Sequence, residues 1–190
     1  MKWEPTSIPG AWVFTPTIHE DDRGLFLESY TARSLREATG FQLELAQINI
    51  SVSRQGVVRG LHACKVPPGQ AKYVQCVAGE VLDVVVDIDP GSATFGEHDS
   101  VILNDSERRA VFISDGLAHG FCVWSGSATV VYATSSPYNP EEEFAINPLD
   151  STVGISWGLE RQLLLSDKDR TAPTLEEALT SGLIRDGRKS

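Results

Sequence analysis

The stretch Val81-Leu82-Asp83-Val84-Val85-Val86-Asp87-Ile88 decides the fold class. Leu82, Val84, Val86 and Ile88 alternate with Val81, Asp83, Val85 and Asp87, so an extended chain gives one wholly apolar face and a second face carrying two carboxylates. A period of two belongs to a strand. The same texture continues on both sides. Residues 10–16, 24–30, 46–53, 71–78, 98–103, 109–113, 120–125 and 128–135 read as further strands, and 59–74 as a strand–loop–strand unit. Turn residues separate them at Pro67-Pro68-Gly69, Asp89-Pro90-Gly91, Ser114-Asp115-Gly116 and Trp124-Ser125-Gly126. Helical signals are confined to 31–39, which ends at Gly40, and to 174–180, where Thr174 follows Pro173 and precedes Glu176 and Glu177. Many short strands with helices only at the margins predict an all-β jelly-roll barrel.

The chain has 190 residues, is 41% hydrophobic and contains no internal repeat or Ser/Gly linker. It reads as one domain over 1–190, with the barrel core at about 45–150 and a C-terminal segment at 151–190. No apolar run approaches the roughly 20 residues that span a bilayer, and the N-terminus lacks the apolar stretch of a signal peptide. The expectation is a soluble cytoplasmic protein with no membrane partner. A formal net charge of −10 argues against nucleic acid. It leaves room for a locally basic pocket that holds a small anion. Cys64, Cys76 and Cys122 lack the spacing of a disulfide framework or a zinc knuckle, and read as small buried hydrophobes.

Groups that carry chemistry collect in five places. In 21–28, Arg23 and Glu28 flank Leu25-Phe26-Leu27. In 47–53, Gln47, Asn49, Ser51 and Ser53 share one strand face, which taken alone reads as a solvated sheet surface. In 59–74, Arg59, His62 and Lys72 stand close in sequence. His119 follows a turn at 115–116, and Asp167 and Asp169 stand late in the chain with no evident structural task. A metal-bearing cupin carries a His-x-His pair; here His62 is followed by Ala63 and Cys64, so no metal is expected, although His119 sits where a later ligand would.

These runs, in order, resemble the dTDP-4-dehydrorhamnose 3,5-epimerase family: DDRGLFLE (21–28), QINISVS (47–53), VVRGLH (57–62), PPGQAKYV (67–74), GEVLDVVVDI (79–88), SATFGEHDSVIL (92–103), LAHGF (117–121), VVYATSSPYNPEEE (130–143) and LSDKDRTAP (165–173). The resemblance spans about residues 10–185. It implies a jelly-roll (cupin-like) barrel, a homodimer, no metal or organic cofactor, and a thymidine-diphosphate 4-keto-6-deoxyhexose as substrate. By the same resemblance His62 is the base and Asp169 its partner. Lys72 faces the keto oxygen, and Tyr132 is the acid on the opposite side. Arg23, Arg59, Gln47, Asn49 and His119 hold the diphosphate and sugar. Phe26 and Glu28 reach the nucleotide in the partner subunit, and Tyr138 completes the pocket.

The chemistry agrees with these roles. A C4 ketone acidifies the hydrogens on C3 and C5, imidazole is a base matched to neutral pH, and a carboxylate behind it fixes the tautomer. A buried ammonium can hold the enolate oxygen. Inversion needs a proton returned to the other face. The expected activity is therefore inversion at C3 and C5, with single-centre epimerisation and a catalytically silent sugar-nucleotide-binding barrel as alternatives. Many relatives carry an aromatic residue after the base and often Gln after that; Ala63 and Cys64 stand there instead, and the expectation is either a wider sugar pocket or an altered seat for a flipped ring.

Overall fold

Both faces of the 81–88 stretch are buried. In the computed structural model, which describes residues 1–160 and 162–184, Asp83 and Asp87 are as enclosed as the valines beside them, at 1% and 2% exposure. The strand is therefore central to the structure, with a core on each side.

In chain order the elements are β1 (Lys2–Pro5), β2 (Ala11–Thr15), β3 (Ile18–Asp21), β4 (Gly24–Leu27), α1 (Ala32–Thr39), β5 (Gln47–Arg54), β6 (Val58–Cys64), β7 (Lys72–Ala78) and β8 (Glu80–Asp87). There follow β9 (His98–Asn104), β10 (Ala110–Ile113), β11 (Leu117–Val123), β12 (Ser127–Thr134), β13 (Glu143–Ala145), α2 (Asp167–Arg170) and α3 (Leu175–Thr180). One sheet runs β1-β2-β10-β7-β12-β5, a second runs β13-β6-β11-β8-β9, and β3 with β4 forms a separate hairpin. Every named pairing is antiparallel, and strands far apart in sequence lie side by side, as the jelly-roll expectation requires.

The period of two assigns three packed layers. The interior between the sheets takes Val81 and Val85 of β8 together with Val74, Cys76, Val111, Phe121 and Val130. The opposite face of β8 (Leu82, Val84, Val86 and then Ile88) packs with Leu61, Ala63 and Phe144 beneath Val153, Trp157, Leu175 and Ala178 of the C-terminal segment. The outer face of the first sheet, with Phe14 of β2 and Phe112 of β10, is covered in part by α1 through Leu35.

Most of the expected strands recur with shifts of one residue, and two differ by three at one end. β11 begins at Leu117 rather than Gly120, and the 24–30 stretch leaves strand geometry after Leu27. β1, β3, β13 and α2 were not expected. Helix α1 ends at Gly40, and Thr174 caps α3 in a full capping box with Glu177. The polar face of β5 does not form a solvated surface. Its cross-strand partners Ala128, Val130 and Tyr132 belong to the interior, so Gln47, Asn49, Ser51 and Ser53 face inward. Ile48, Ile50 and Val52 face outward instead, exposed at 58%, 68% and 70%.

Candidate active site

The inner faces of the two sheets bring the expected chemistry together. On the second sheet His62 (β6) lies opposite His119 (β11) in register. On the first sheet Tyr132 (β12) lies between Asn49 (β5) and Val74 (β7), and Thr134 lies between Gln47 and Lys72. His62 and Tyr132 thus stand on facing walls of one barrel. Strands β6 and β11 meet unusually closely, because a Cβ added to Gly60 would lie 2.6 Å from Gly120 Cα and 2.7 Å from the His119 carbonyl. Gly60 also has φ +121°, so glycine is required there twice over. Their ladder shifts register between His119 and Phe121, a bulge beside the two histidines.

His62 Nε2 lies 2.7 Å from Asp169 Oδ1. Burial alone would raise the Asp169 carboxyl, but the bond and charge of His62, with help from the Gly60 N–H, hold it below its usual range. Ser166 caps α2 by accepting from the Asp169 N–H at 3.1 Å, which fixes the backbone that carries the carboxylate. The aspartates of 165–169 therefore divide: Asp169 is buried against His62, and Asp167 is exposed.

Lys72 is buried and donates to the His62 carbonyl at 3.1 Å. Burial lowers its pKa, while the nearby Cys64, Glu143 and Asp83 oppose the loss of charge. Burial pushes the Tyr132 phenol upward, Glu143 adds to this, and Arg59 acts against it. A phenol kept protonated is suited to donate a proton. Arg59 bonds Ser53 Oγ through Nε at 3.0 Å. Gln47 donates to Asn49 at 2.6 Å and accepts from the Tyr138 N–H at 3.0 Å, which ties the exposed Tyr138 loop to β5.

Three expected residues stand apart from this group. Arg23, Phe26 and Glu28 lie on or just after the β3–β4 hairpin, all exposed, and Arg23 is paired with Asp21. Within one chain they are not assembled with His62. Ala63 does not shape the pocket either. It points away from the interior into the layer beneath the C-terminal segment, opposite Phe144, so only Cys64 of the two departures lies beside the site, near Lys72 and Glu143.

Two residues were not singled out from the sequence. Asp83, its side chain fully buried, lies 2.8 Å from His119 Nε2. Its alternation placed it on the face with Asp87, but no sequence pattern showed that this face is an interior. Glu143 begins β13, bonds Lys168 Nζ at 2.6 Å, and acts on both Lys72 and Tyr132. It was hidden in a run of three glutamates, and only pairing with β6 distinguishes it from the other two. Among the described residues no group of three or more His, Cys, Asp or Glu is placed to hold a metal ion.

Residues 5–177 match the family model described as dTDP-4-dehydrorhamnose 3,5-epimerase. The chain belongs to this family. It is similar to the dTDP-4-dehydrorhamnose 3,5-epimerase of Mycobacterium tuberculosis, with 49% identity covering 97% of this chain and 92% of the relative. A solved structure of the epimerase from that organism matches with a TM-score of 0.95 at 49% identity, covering 97% of this chain and 93% of the other. A dTDP-4-dehydrorhamnose 3-epimerase of Streptomyces niveus is 47% identical over 97% of this chain and 88% of its own. A solved 3′-monoepimerase of Streptomyces bikiniensis, in complex with dTDP-quinovose, matches with a TM-score of 0.91 at 45% identity, covering 95% of this chain and 91% of that one. As a member of this epimerase family the chain is an isomerase, built on the family's cupin-like jelly roll.

Proposed function

We propose that the enzyme inverts C3 and C5 of dTDP-4-keto-6-deoxyglucose. The observation that carries this reading is the placement of an imidazole–carboxylate pair and a half-buried phenol on opposite walls of one barrel, with a buried ammonium bonded to the His62 carbonyl. His62 removes the proton α to the ketone. Asp169 holds the ring in one tautomer and stabilises the imidazolium. As C4 oxygen becomes an enolate, the buried Lys72 supplies positive charge to it. Tyr132 delivers a proton from the facing wall, and the centre is inverted. No step needs a redox change, because a proton leaves and a proton returns.

Arg59, Gln47, Asn49 and His119 hold the sugar and diphosphate, and Tyr138 lies against the nucleotide. The outward apolar row of Ile48, Ile50 and Val52, with the exposed Leu25 and Phe26 of the hairpin, supports a homodimer. In that dimer Arg23, Phe26 and Glu28 act on the partner's nucleotide. No described helix is long and apolar enough to cross a membrane, and we place the enzyme in the cytoplasm with the sugar nucleotides it converts.

The relatives named as 3-epimerases support a second reading, inversion at C3 alone. Incubation of the keto sugar nucleotide in deuterium oxide, followed by NMR, separates the two. Exchange with inversion at both carbons supports the double reaction, inversion at C3 alone supports the second, and no exchange at either carbon rejects both.

A further inference from the structure

The β3–β4 hairpin stands apart from both sheets. Among the described residues no hydrogen bond or ion pair joins 18–28 to the barrel: Arg23 meets Asp21 within the hairpin, and Leu25 and Phe26 are exposed. A ribbon of two four-residue strands does not hold its own direction in water. Its aim is therefore set at its two feet. The first follows β2, which is paired on both sides, with β1 and with β10. The second is Ser29, just beyond the Ile18–Leu27 pair that closes the hairpin. Ser29 is held twice by β7. Its hydroxyl donates to Gln75 Oε1 at 2.5 Å, and its carbonyl accepts from the Tyr73 hydroxyl. Gln75 is itself fixed, because its Nε2 donates to the Arg108 carbonyl at 2.9 Å and so turns Oε1 towards Ser29. Tyr73 is buried, and the Tyr30 ring meets it edge to face with centroids 5.1 Å apart.

We infer that Gln75 and Tyr73 are positioning residues: they clamp Ser29 and so aim the hairpin that bears Arg23, Phe26 and Glu28 at the nucleotide site of a second copy of the chain. This rests on the reading of the hairpin as part of the partner's site. Side chains alternate along β7, so Lys72 and Val74 face the barrel interior while Tyr73 and Gln75 face outward. One strand thus gives an ammonium to its own site and a root to the arm that serves its partner's. Gln75 and Tyr73 are both buried, and both spend a polar group on the same residue, Ser29. A loosened foot lets the arm point elsewhere for part of the time, and apparent affinity falls with the fraction correctly aimed. Contacts to the nucleotide are the same in ground and transition states, so the loss falls on KM rather than kcat.

The test is the double substitution Ser29→Ala with Tyr73→Phe, which removes both bonds and keeps the Tyr73 ring. In the homodimer it raises KM for the keto sugar nucleotide by about tenfold with kcat within about twofold, while Ser29→Thr, which keeps a hydroxyl, stays near the parent. The direction of the effect is read in a hybrid dimer with one complete site, formed from a His62→Ala chain and an Arg23→Ala chain. Placed on the His62→Ala chain, whose hairpin serves that site, the double substitution raises KM by the same factor of about ten. Placed on the Arg23→Ala chain, whose hairpin serves the dead site, it leaves KM within about twofold. Should the double variant fail to fold, Ser29→Ala alone replaces it, with a rise of about threefold. An unchanged KM in the homodimer, a fall in kcat alone, or a KM that rises equally whichever chain carries the substitutions overturns the inference. If the parent is active but His62→Ala and Arg23→Ala chains with the clamp intact recover no activity on mixing, the shared site on which the inference rests is overturned instead.

Discussion

His62 and His119 are cross-strand partners on β6 and β11, and each turns its Nε2 to a different aspartate: Asp169 at 2.7 Å and Asp83 at 2.8 Å. The first pair is reachable, with the His62 side chain 30% exposed, and its carboxylate arrives from the C-terminal segment. The second is closed, with His119 at 9% and its carboxylate supplied by the adjacent strand β8. A ring that must reach substrate and take a proton needs the first setting. A ring that only holds substrate in one orientation is served by the second.

Asp83 should therefore matter for binding and stability more than for turnover. Asp83→Ala leaves the buried His119 Nε2 without its partner, which costs about 1–3 kcal/mol, read from urea unfolding. Asp83→Asn costs less, because the amide oxygen still accepts from Nε2–H. Both raise KM more than they lower kcat. A turnover loss as deep as that of His62→Asn would show His119 to be part of the proton-transfer machinery.

The contrast between these two aspartates also marks how far the sequence could be read. Alternation over 81–88 located β8 and put Asp83 and Asp87 on one side of it, because side-chain direction in a strand depends only on position. Whether that side met water depended on the other sheet, whose strands lie far away in sequence. The β5 face went the same way: Gln47, Asn49, Ser51 and Ser53 were seen together, yet their inward direction follows from Ala128, Val130 and Tyr132 beside them. Ala63 and Cys64 are neighbours in sequence on opposite faces of β6, so only Cys64 could alter the pocket. Helix α2 has four residues, too few to leave a helical period, and Glu143 has no signal apart from its pairing with Cys64.

Lys72 should trade stability for activity. Burial lowers its pKa below the usual 10.5, so the folded state disfavours the charged form. The sign follows: below the folded pKa the buried ammonium destabilises the fold, and this cost is relieved as pH rises from the folded value towards 10.5. Lys72→Met therefore stabilises the protein at neutral pH, by on the order of 1 kcal/mol in denaturant unfolding, while abolishing turnover. In the proposed mechanism catalysis needs the ammonium, so the parent's alkaline limb should fall below 10.5. Tyr132 cannot account for that limb, because burial moves its ionisation above the usual 10.0. A rate that stays flat to pH 10.5 would contradict the assigned role of Lys72.

The exposed row on β5 should be an interface. Ile50→Lys or Val52→Glu places charge in the middle of the outward apolar row and yields a monomer by sedimentation, with a melting temperature close to the parent's in dilute solution. If Arg23 serves the partner's site, these monomers lose activity although every residue near His62 is intact. Mixing inactive His62→Ala and Arg23→Ala chains then restores part of the activity, since a hybrid dimer owns one complete site. A parent protein that is monomeric and fully active ends this proposal.

The sharpest prediction separates base from acid, and it follows from their standing on opposite sheets. His62→Asn cannot remove a proton, so in deuterium oxide neither exchange nor inversion occurs at C3 or C5. Tyr132→Phe keeps His62, Asp169 and Lys72, so a proton can still leave, exchange with solvent and return from the face it left. That variant washes deuterium into the substrate while largely retaining its configuration, and residual inversion falls by about 10²–10⁴-fold, the usual contribution of a general acid. Removing the phenol hydroxyl leaves the Asn49–Tyr132–Val74 register intact, so unfolding is not expected to confuse the result. NMR on both variants and the parent, following C3 and C5 separately, gives the answer. Undiminished exchange in His62→Asn would mean that the base is elsewhere, and Tyr132 on the facing wall would be the first residue to test in its place.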